Sequence, residues 1–275
     1  MSRNVQMFAL PAPPENRLEL AGASYRLVKV FKHDFFAATC LYEAEGPARL
    51  PKIVAKIGRV QPFCGLPMAW YGRWLQRHER AIYQALADVG GVPQWAGTFG
   101  PTGYAIEYID AKPLDHLPKP PEGFFDRLRA IFDAVHARGV AYCDANKRSN
   151  ILVTSDGRAY LVDFQIAIRR RDDWPRPLAA IVRRVVAYMV RRDLYHLYKH
   201  KRRLAPEELT EAEALLSRQR SGLHALHRKL TTPYRSLRRR FLRKQHAAGR
   251  LKSPSEHLED HHQPEKATWR READE

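Results

Sequence analysis

Cysteine is scarce in this sequence: Cys40, Cys64 and Cys143 are the three present, no two of them at CxxC spacing and one left over from any pairing. That argues against a disulfide framework or a zinc site and suits a reducing compartment, so the expected location is the cytoplasm. Long apolar runs are missing too. The N-terminus has no apolar core of the signal-peptide kind, and the most apolar later segment, Leu178 to Val190, is interrupted by Arg183 and Arg184. Neither export nor a membrane span is expected. The third shortage is of acid. Against 47 lysines and arginines stand 30 aspartates and glutamates, a formal charge of +17. The imbalance is local, because residues 169–252 hold 24 Lys or Arg and 7 Asp or Glu. A basic surplus confined to the C-terminal third implies an anionic partner such as phospholipid, phosphorylated glycolipid or nucleic acid. No nucleic-acid motif spacing accompanies it, although Tyr195, Tyr198 and Tyr234 offer stacking groups, so nucleic acid ranks behind an anionic acceptor or membrane surface. Otherwise the composition, 44% hydrophobic and 28% charged over 275 residues, is that of an ordinary soluble chain large enough for one domain or two lobes.

What is present concentrates in residues 142–167, YCDANKRSNILVTSDGRAYLVDFQIA. Two short apolar runs, Ile151 to Val153 and Ala159 to Val162, flank Ser155-Asp156-Gly157, whose Asp-Gly pair suits a tight turn with positive φ. The pattern predicts a hairpin with Asn150 entering the first strand and Asp163 leaving the second, so an amide oxygen and a carboxylate reach the same edge. Such oxygen donors suit Mg2+, which favours one or two carboxylates together with substrate phosphates and waters. Asp144 lies in the loop feeding the hairpin, and Lys147 and Arg148 add cations where a phosphoryl group needs them.

Earlier segments are predicted from periodicity. Ser24 to Glu45 reads as two strands joined near Lys32-His33-Asp34, and Pro51 to Ile57 as a further strand with Lys56 behind Ile53, Val54 and Ala55. Trp70 to Val89 has helical spacing, with Leu75, Ile82 and Leu86 on one face and Glu79 pointing inward on that same face. Tyr104 to Ile109 reads as an apolar strand, Pro113 to Pro121 as a linker, and Gly123 to Arg138 as an amphipathic helix stopped by Gly139. His136 on that helix reads as a surface residue. Beyond Ala167, a helix from Leu178 into Lys199 carries Ile181, Val185, Tyr188 and Tyr195 on its apolar face. Thr210 to Gln219 opens with a capping-box pattern. Residues 222–246 mix leucines and aromatics with cations, which suits either a helix on an anionic surface or one packed on the lobe with a solvated basic face.

In their order, Asp144, Asn150 and Asp163-Phe164 resemble the catalytic loop and metal-binding hairpin of the protein-kinase-like phosphotransferases. Six residues rather than five separate Asp144 from Asn150, Tyr142-Cys143 stands where His-Arg is usual, and Gln165 stands where Gly is usual. In these respects the chain is more similar to the atypical bacterial branch, with the RIO and lipopolysaccharide-core sugar kinases, than to eukaryotic protein kinases. The resemblance covers residues 25–167. It implies an α+β, bilobal protein-kinase-like fold: a small antiparallel-sheet N-lobe with one main helix over residues 17–112, and a mostly helical C-lobe over 113–250 with the catalytic loop and basic C-terminal helices. A flexible arm of residues 1–16 and a disordered tail of 251–275 flank these lobes.

The resemblance also implies ATP and Mg2+ as cofactors. Asp144 takes the place of the group that orients and deprotonates an acceptor hydroxyl, and Asn150 and Asp163 that of the metal-holding pair. Lys56, with Lys52 as the alternative register, falls on the lysine that holds the α and β phosphates, and Glu79 on its ion-pair partner. Backbone groups of Glu107 and Ile109 fall at the hinge that reads the adenine edge. No glycine-rich signature covers the phosphates; the turn at Asp34 to Ala37 is left as either a phosphate cap built from backbone amides or an aromatic core or lid. Nor is there a long activation segment or an Ala-Pro-Glu landmark. The expected function is an ATP-dependent kinase acting on a sugar hydroxyl of an anionic glycolipid at the inner membrane face, with a protein serine/threonine kinase second. A nucleotide-binding pseudokinase or an anionic-surface or nucleic-acid binder is the alternative of another class.

Overall fold

The computed structural model describes residues 7–218, 253–255 and 258, and the expected helices of 222–246 and most of the expected tail lie outside them. The chain divides into two compact units, one of residues 1–77, 96–108 and 221–275, the other of 78–95 and 109–220. Its class is α+β, with an antiparallel sheet in the first unit and mostly helices in the second.

Period-two alternation builds the first unit. Strands β1 (Arg17–Leu20), β2 (Ala23–His33), β3 (Ala37–Ala44) and β4 (Lys52–Gly58) are followed by helix α1 (Ala69–Ala85) and by β5 (Trp95–Phe99) and β6 (Gly103–Glu107). They form one sheet in the order β1-β2-β3-β4-β6-β5. Along β4, Ile53 and Ala55 are fully buried while Val54 and Lys56, on the other face, are half-buried. Ile53 and Ala55 join Val30, Ala38, Cys40, Tyr42 and Ala105 in the core.

Ala9 and Leu10 belong to that same core, and Leu258 packs against it. The segment expected to be a loose arm is therefore tied down from residue 7 onward. Ala9 N–H donates to Asp34 O at 2.8 Å, and Val60 N–H to Ala9 O at 3.1 Å. Buried His33 accepts the Leu10 N–H at Nε2 (3.1 Å), so its proton sits on Nδ1 and is donated to Ser255 Oγ at 2.9 Å. Three buried apolar residues, Phe8, Ala9 and Leu10, dock an otherwise proline-rich segment.

The β2–β3 turn bears on one of the alternatives left open for residues 34–37, the phosphate cap. The Asp34 carboxylate accepts the amides of Phe36 (2.7 Å) and Ala37 (3.0 Å), and Asp34 N–H donates to Ala37 O. Those amides are spent inside the turn and do not cap a phosphate. Beneath it, fully buried Arg59 donates to Phe8 O, Phe35 O and Pro62 O, with the Phe35 ring 4.0 Å from the guanidinium. At the tip, Phe35 is half-buried over the guanidinium and Phe36 is exposed.

The second unit holds β7 (Ala111–Pro113), α2 (Phe124–Ala137), β8 (Val140–Ala141), β9 (Ile151–Thr154), β10 (Ala159–Leu161), β11 (Ile168–Arg169), α3 (Arg176–Leu204) and α4 (Glu211–Arg218). The expected linker from Pro113 instead begins in β7, the edge of a β10-β9-β7 sheet, where a residue lacking N–H is tolerated. Leu114, next in the chain, is fully buried. Helix α2 buries Phe124, Phe125, Leu128, Phe132 and Val135 at helical steps. Helix α4 starts on a capping box, Glu213 N–H to Thr210 Oγ1 (3.3 Å) and Thr210 N–H to Glu213 Oε2 (2.9 Å). Buried Lys201 on α3 ties Asp126 at 2.8 Å and Glu213 at 3.0 Å. Helix α3 does not bury the face that its period suggests. Ile181 and Val185 are exposed, and burial falls on Val186, Asp193, His196, Leu197, Tyr198, His200 and Lys201.

Candidate active site

The β9–β10 hairpin forms as its turn chemistry dictates, with Ile151 opposite Leu161, and one step further Val162 N–H donates to Asn150 O at 3.1 Å. Asn150 and Asp163 thus sit at the same end of the hairpin. From Asn150 the Nδ2 amide donates to Asp144 Oδ2 at 2.8 Å, and Lys147 Nζ lies 3.9 Å from the same oxygen. The three polar residues of the loop and hairpin are one cluster. Burial pushes the Asp144 carboxyl up, to about 6; Lys147 and the Asn150 hydrogen bond oppose that shift, and the charges of Asp163 and Asp193 add to it. A carboxylate tuned that way is suited to general-base work near neutral pH.

Backbone strain marks both edges of the cluster. Cys143 (φ 69°) and Asp163 (φ 63°) are left-handed non-glycine residues, a conformation that persists only where surroundings overdetermine it. For Cys143 the surroundings include a carboxylate on α3, with the thiol donating to Ala141 O at 3.4 Å. Asp193, 1% exposed, accepts Tyr142 N–H at Oδ2 (2.8 Å) and Cys143 N–H at Oδ1 (2.9 Å), and His136 Nε2 is 3.1 Å from Oδ2. His136 is therefore part of the loop's support, not the surface residue expected. Seven residues along α3, His200 donates Nε2–H to Ala145 O at 2.9 Å, and burial pulls its own pKa down to about 4. For Asp163 the support is aromatic. Phe164, fully buried, meets Tyr83 and Tyr142 edge-on with centroids 5.3 and 5.1 Å away. Tyr142 donates its hydroxyl to Val162 O at 2.5 Å, so the residue standing where His is usual ties the loop to the strand that delivers Asp163.

The other sequence-derived candidates are distributed between the units. Glu79 lies in the second unit and is fully buried, as its place on the apolar face of α1 requires. Ile109 follows in that unit, while Glu107 closes β6 in the first, opposite Ile53. Lys56 lies in the first unit, paired with Thr39 and Tyr104 at the centre of the sheet. Lys52, the alternative register, is a partly exposed strand residue 3.3 Å from Glu43. Asp193 and His200 were not anticipated. Their one sign in the sequence is that Asp193 is the only acid between Trp174 and Glu207.

Among the described residues no group of three or more His, Cys, Asp or Glu is arranged to hold a metal ion. An amide oxygen and a carboxylate at one hairpin end nonetheless fit the chemistry of Mg2+, which draws its remaining ligands from phosphates and water. Because Asn150 spends Nδ2 on Asp144, its Oδ1, which accepts only a long 3.5 Å bond from Ser149 Oγ, is the atom that can face such a cation.

No family model and no curated protein matches the chain. Among solved structures, the Rio2 kinase from Chaetomium thermophilum is similar over 65% of this chain and 58% of its own, with a TM-score of 0.47 and 16% identity. A Rio2 kinase–ADP/Mg2+–phosphoaspartate complex from the same organism is similar over 60% of this chain and 55% of its own, with a TM-score of 0.44 and 16% identity. The chain spans less than two thirds of the length of either.

Proposed function

We propose that the protein is an ATP- and Mg2+-dependent phosphotransferase acting on an acceptor hydroxyl. The observation that carries the reading is the Asp144–Asn150 hydrogen bond at 2.8 Å, made at the end of the hairpin from which Asp163 emerges. In this reading Asp144 accepts the proton of the attacking hydroxyl, and its raised pKa matches that task. Asn150 Oδ1 and Asp163 hold Mg2+, whose chemistry when bound is to neutralise charge on the β and γ phosphates. Lys56 fixes the triphosphate, Glu79 orients Lys56, and backbone groups of Glu107 and Ile109 receive the adenine edge. Phosphoryl transfer rests on positioning and charge stabilisation, so this small set suffices.

The acceptor that suits the basic C-terminal third is a sugar hydroxyl of an anionic glycolipid at a membrane face. The test is transfer of label from γ-labelled ATP with Mg2+ into a bacterial lysate split into lipid, protein and nucleic-acid fractions, with Asp163→Ala as the control. Label in lipid that disappears in the variant is expected. Label in protein would replace the acceptor, and nucleotide binding with no transfer to any fraction would mark a pseudokinase.

A further inference from the structure

Helix α3 buries nothing over its first ten residues: from Arg176 to Val185 every position is exposed or half-exposed. Yet Leu178 (48% exposed), Ile181 (56%) and Val185 (41%) recur at steps of three and four, which places them in one stripe along the helix. Trp174, 42% exposed, lies two residues before the helix, with Arg171 5.4 Å from its ring. Exposed Arg184 stands beside the stripe, and exposed Arg176 and Arg183 lie on the far side of the helix. The stretch 174–192 contains five arginines and no acid. The nearest acids before it, Asp172 and Asp173, are turned to Arg170 and Arg171.

We infer that Trp174 and the first half of α3 form the face by which the protein docks on an anionic lipid surface. An aliphatic stripe on a helix whose remaining face carries arginine and no acid, preceded by a tryptophan, is the arrangement of a helix that lies in the plane of a headgroup layer. It lies on that layer and does not cross it, since among the described residues no helix is long and apolar enough to span a membrane. Charge decides between occupants. A second copy would set arginines against arginines, and residues 219–252, with eleven Lys or Arg and no acid, have the same sign. The C-terminal stretch 256–275, with seven acids against three bases, has the opposite sign and is the competitor within the chain.

The docking face and the catalytic loop share one rigid element. Twelve residues beyond Ile181, Asp193 holds the amides of Tyr142 and Cys143; at about 1.5 Å per residue that is roughly 18 Å along the axis. A docked α3 fixes the loop's offset along the lipid plane, which suits an acceptor sugar carried on that same surface. That consequence rests on the function proposed above, whereas the docking itself does not.

The test is co-flotation of the full chain with phosphatidylcholine vesicles, with and without phosphatidylglycerol, and needs no nucleotide. Binding to the anionic vesicles alone is expected. It should weaken by about tenfold or more in a Leu178→Ser/Ile181→Ser/Val185→Ser variant and in Arg183→Glu/Arg184→Glu. Both variants change exposed positions only, and an unchanged thermal midpoint verifies the fold. Undiminished binding by the serine variant assigns attachment to another part of the chain and overturns the inference. So does absence of vesicle binding together with self-association that the serine variant abolishes. Binding that emerges only after deletion of residues 259–275 makes the acidic end the native occupant and overturns it as well. Vesicle binding without phosphoryl transfer refutes the proposed function alone.

Discussion

Asp193, midway along α3, accepts the main-chain N–H of Cys143 at 2.9 Å, a contact that ties α3 to a left-handed residue immediately before the proposed base. The other carboxylate oxygen takes Tyr142 N–H and faces His136, so a single buried side chain joins α2, α3 and the loop that carries Asp144. The loop is held from behind by α3, and its own sequence carries little of what shapes it.

Asp193→Ala leaves two buried amides without acceptors, at a cost of about 3–5 kcal/mol in unfolding free energy. Asp193→Asn keeps one acceptor and should lose about half as much. Urea denaturation measures the loss, and hydrogen exchange at the Tyr142 and Cys143 amides localises it. Equal protection of those amides in the Ala variant and the native chain would show that another group holds the loop.

Asp144 and His200 carry opposite pH dependences that nearly cancel. The Asp144 carboxyl is raised from 3.8 to about 6, so its charged form is disfavoured in the fold. Its penalty is absent below pH 3.8 and complete above about 6, roughly 3 kcal/mol in size. His200 is lowered from 6.5 to about 4, so the folded protein resists its protonation. Stability present above pH 6.5 is lost as pH falls to about 4, again roughly 3 kcal/mol. Each substitution should unmask the other group. Asp144→Asn raises stability at neutral pH and leaves a steep acid loss. His200→Gln, which can still donate to Ala145 O, should grow more stable on acidification. Identical pH profiles for the two variants would rule out this pairing.

Catalysis should follow the same group. Transfer falls with a single protonation below about pH 6, and Asp144→Asn lowers kcat by about 10²–10⁴-fold while nucleotide affinity is kept. A parallel loss of affinity would assign Asp144 to binding.

The hairpin and its two end residues were legible because they are local. A tight Asp-Gly turn and alternating apolar residues fix which positions face each other, and Asn150 and Asp163 follow. Glu79 was legible for the same reason, since helical period alone puts it among Leu75, Ile82 and Leu86. Asp193, His136 and His200 were not, because their roles depend on which helix passes behind the loop, and no spacing encodes that. The stripe of α3 illustrates the same limit. Period identified Ile181 and Val185 as one face, but whether core or water meets that face is decided by neighbours far away in sequence. The N-terminal arm misled through composition: its prolines suggest a loose segment, whereas Ala9 and Leu10 complete the core of the sheet.

Gly91 tests how the hairpin is propped from outside the site. Its φ is +83°, and a Cβ there would lie 2.3 Å from Ile131 Cδ1 and 3.0 Å from Ala159 O. Gly91 O meanwhile accepts Leu161 N–H at 2.8 Å, at the strand that leads to Asp163. Gly91→Ala therefore carries two separate costs, left-handed strain of about 1–2 kcal/mol and overpacking of about 1–3 kcal/mol. A double-mutant cycle with Ile131→Ala separates them, because removing the isoleucine relieves only the overpacking. The double variant should be about 1–2 kcal/mol more stable than the sum of the single losses predicts. Strict additivity would leave backbone strain as the whole effect, and the close packing of this turn on α2 would then contribute nothing to holding the hairpin.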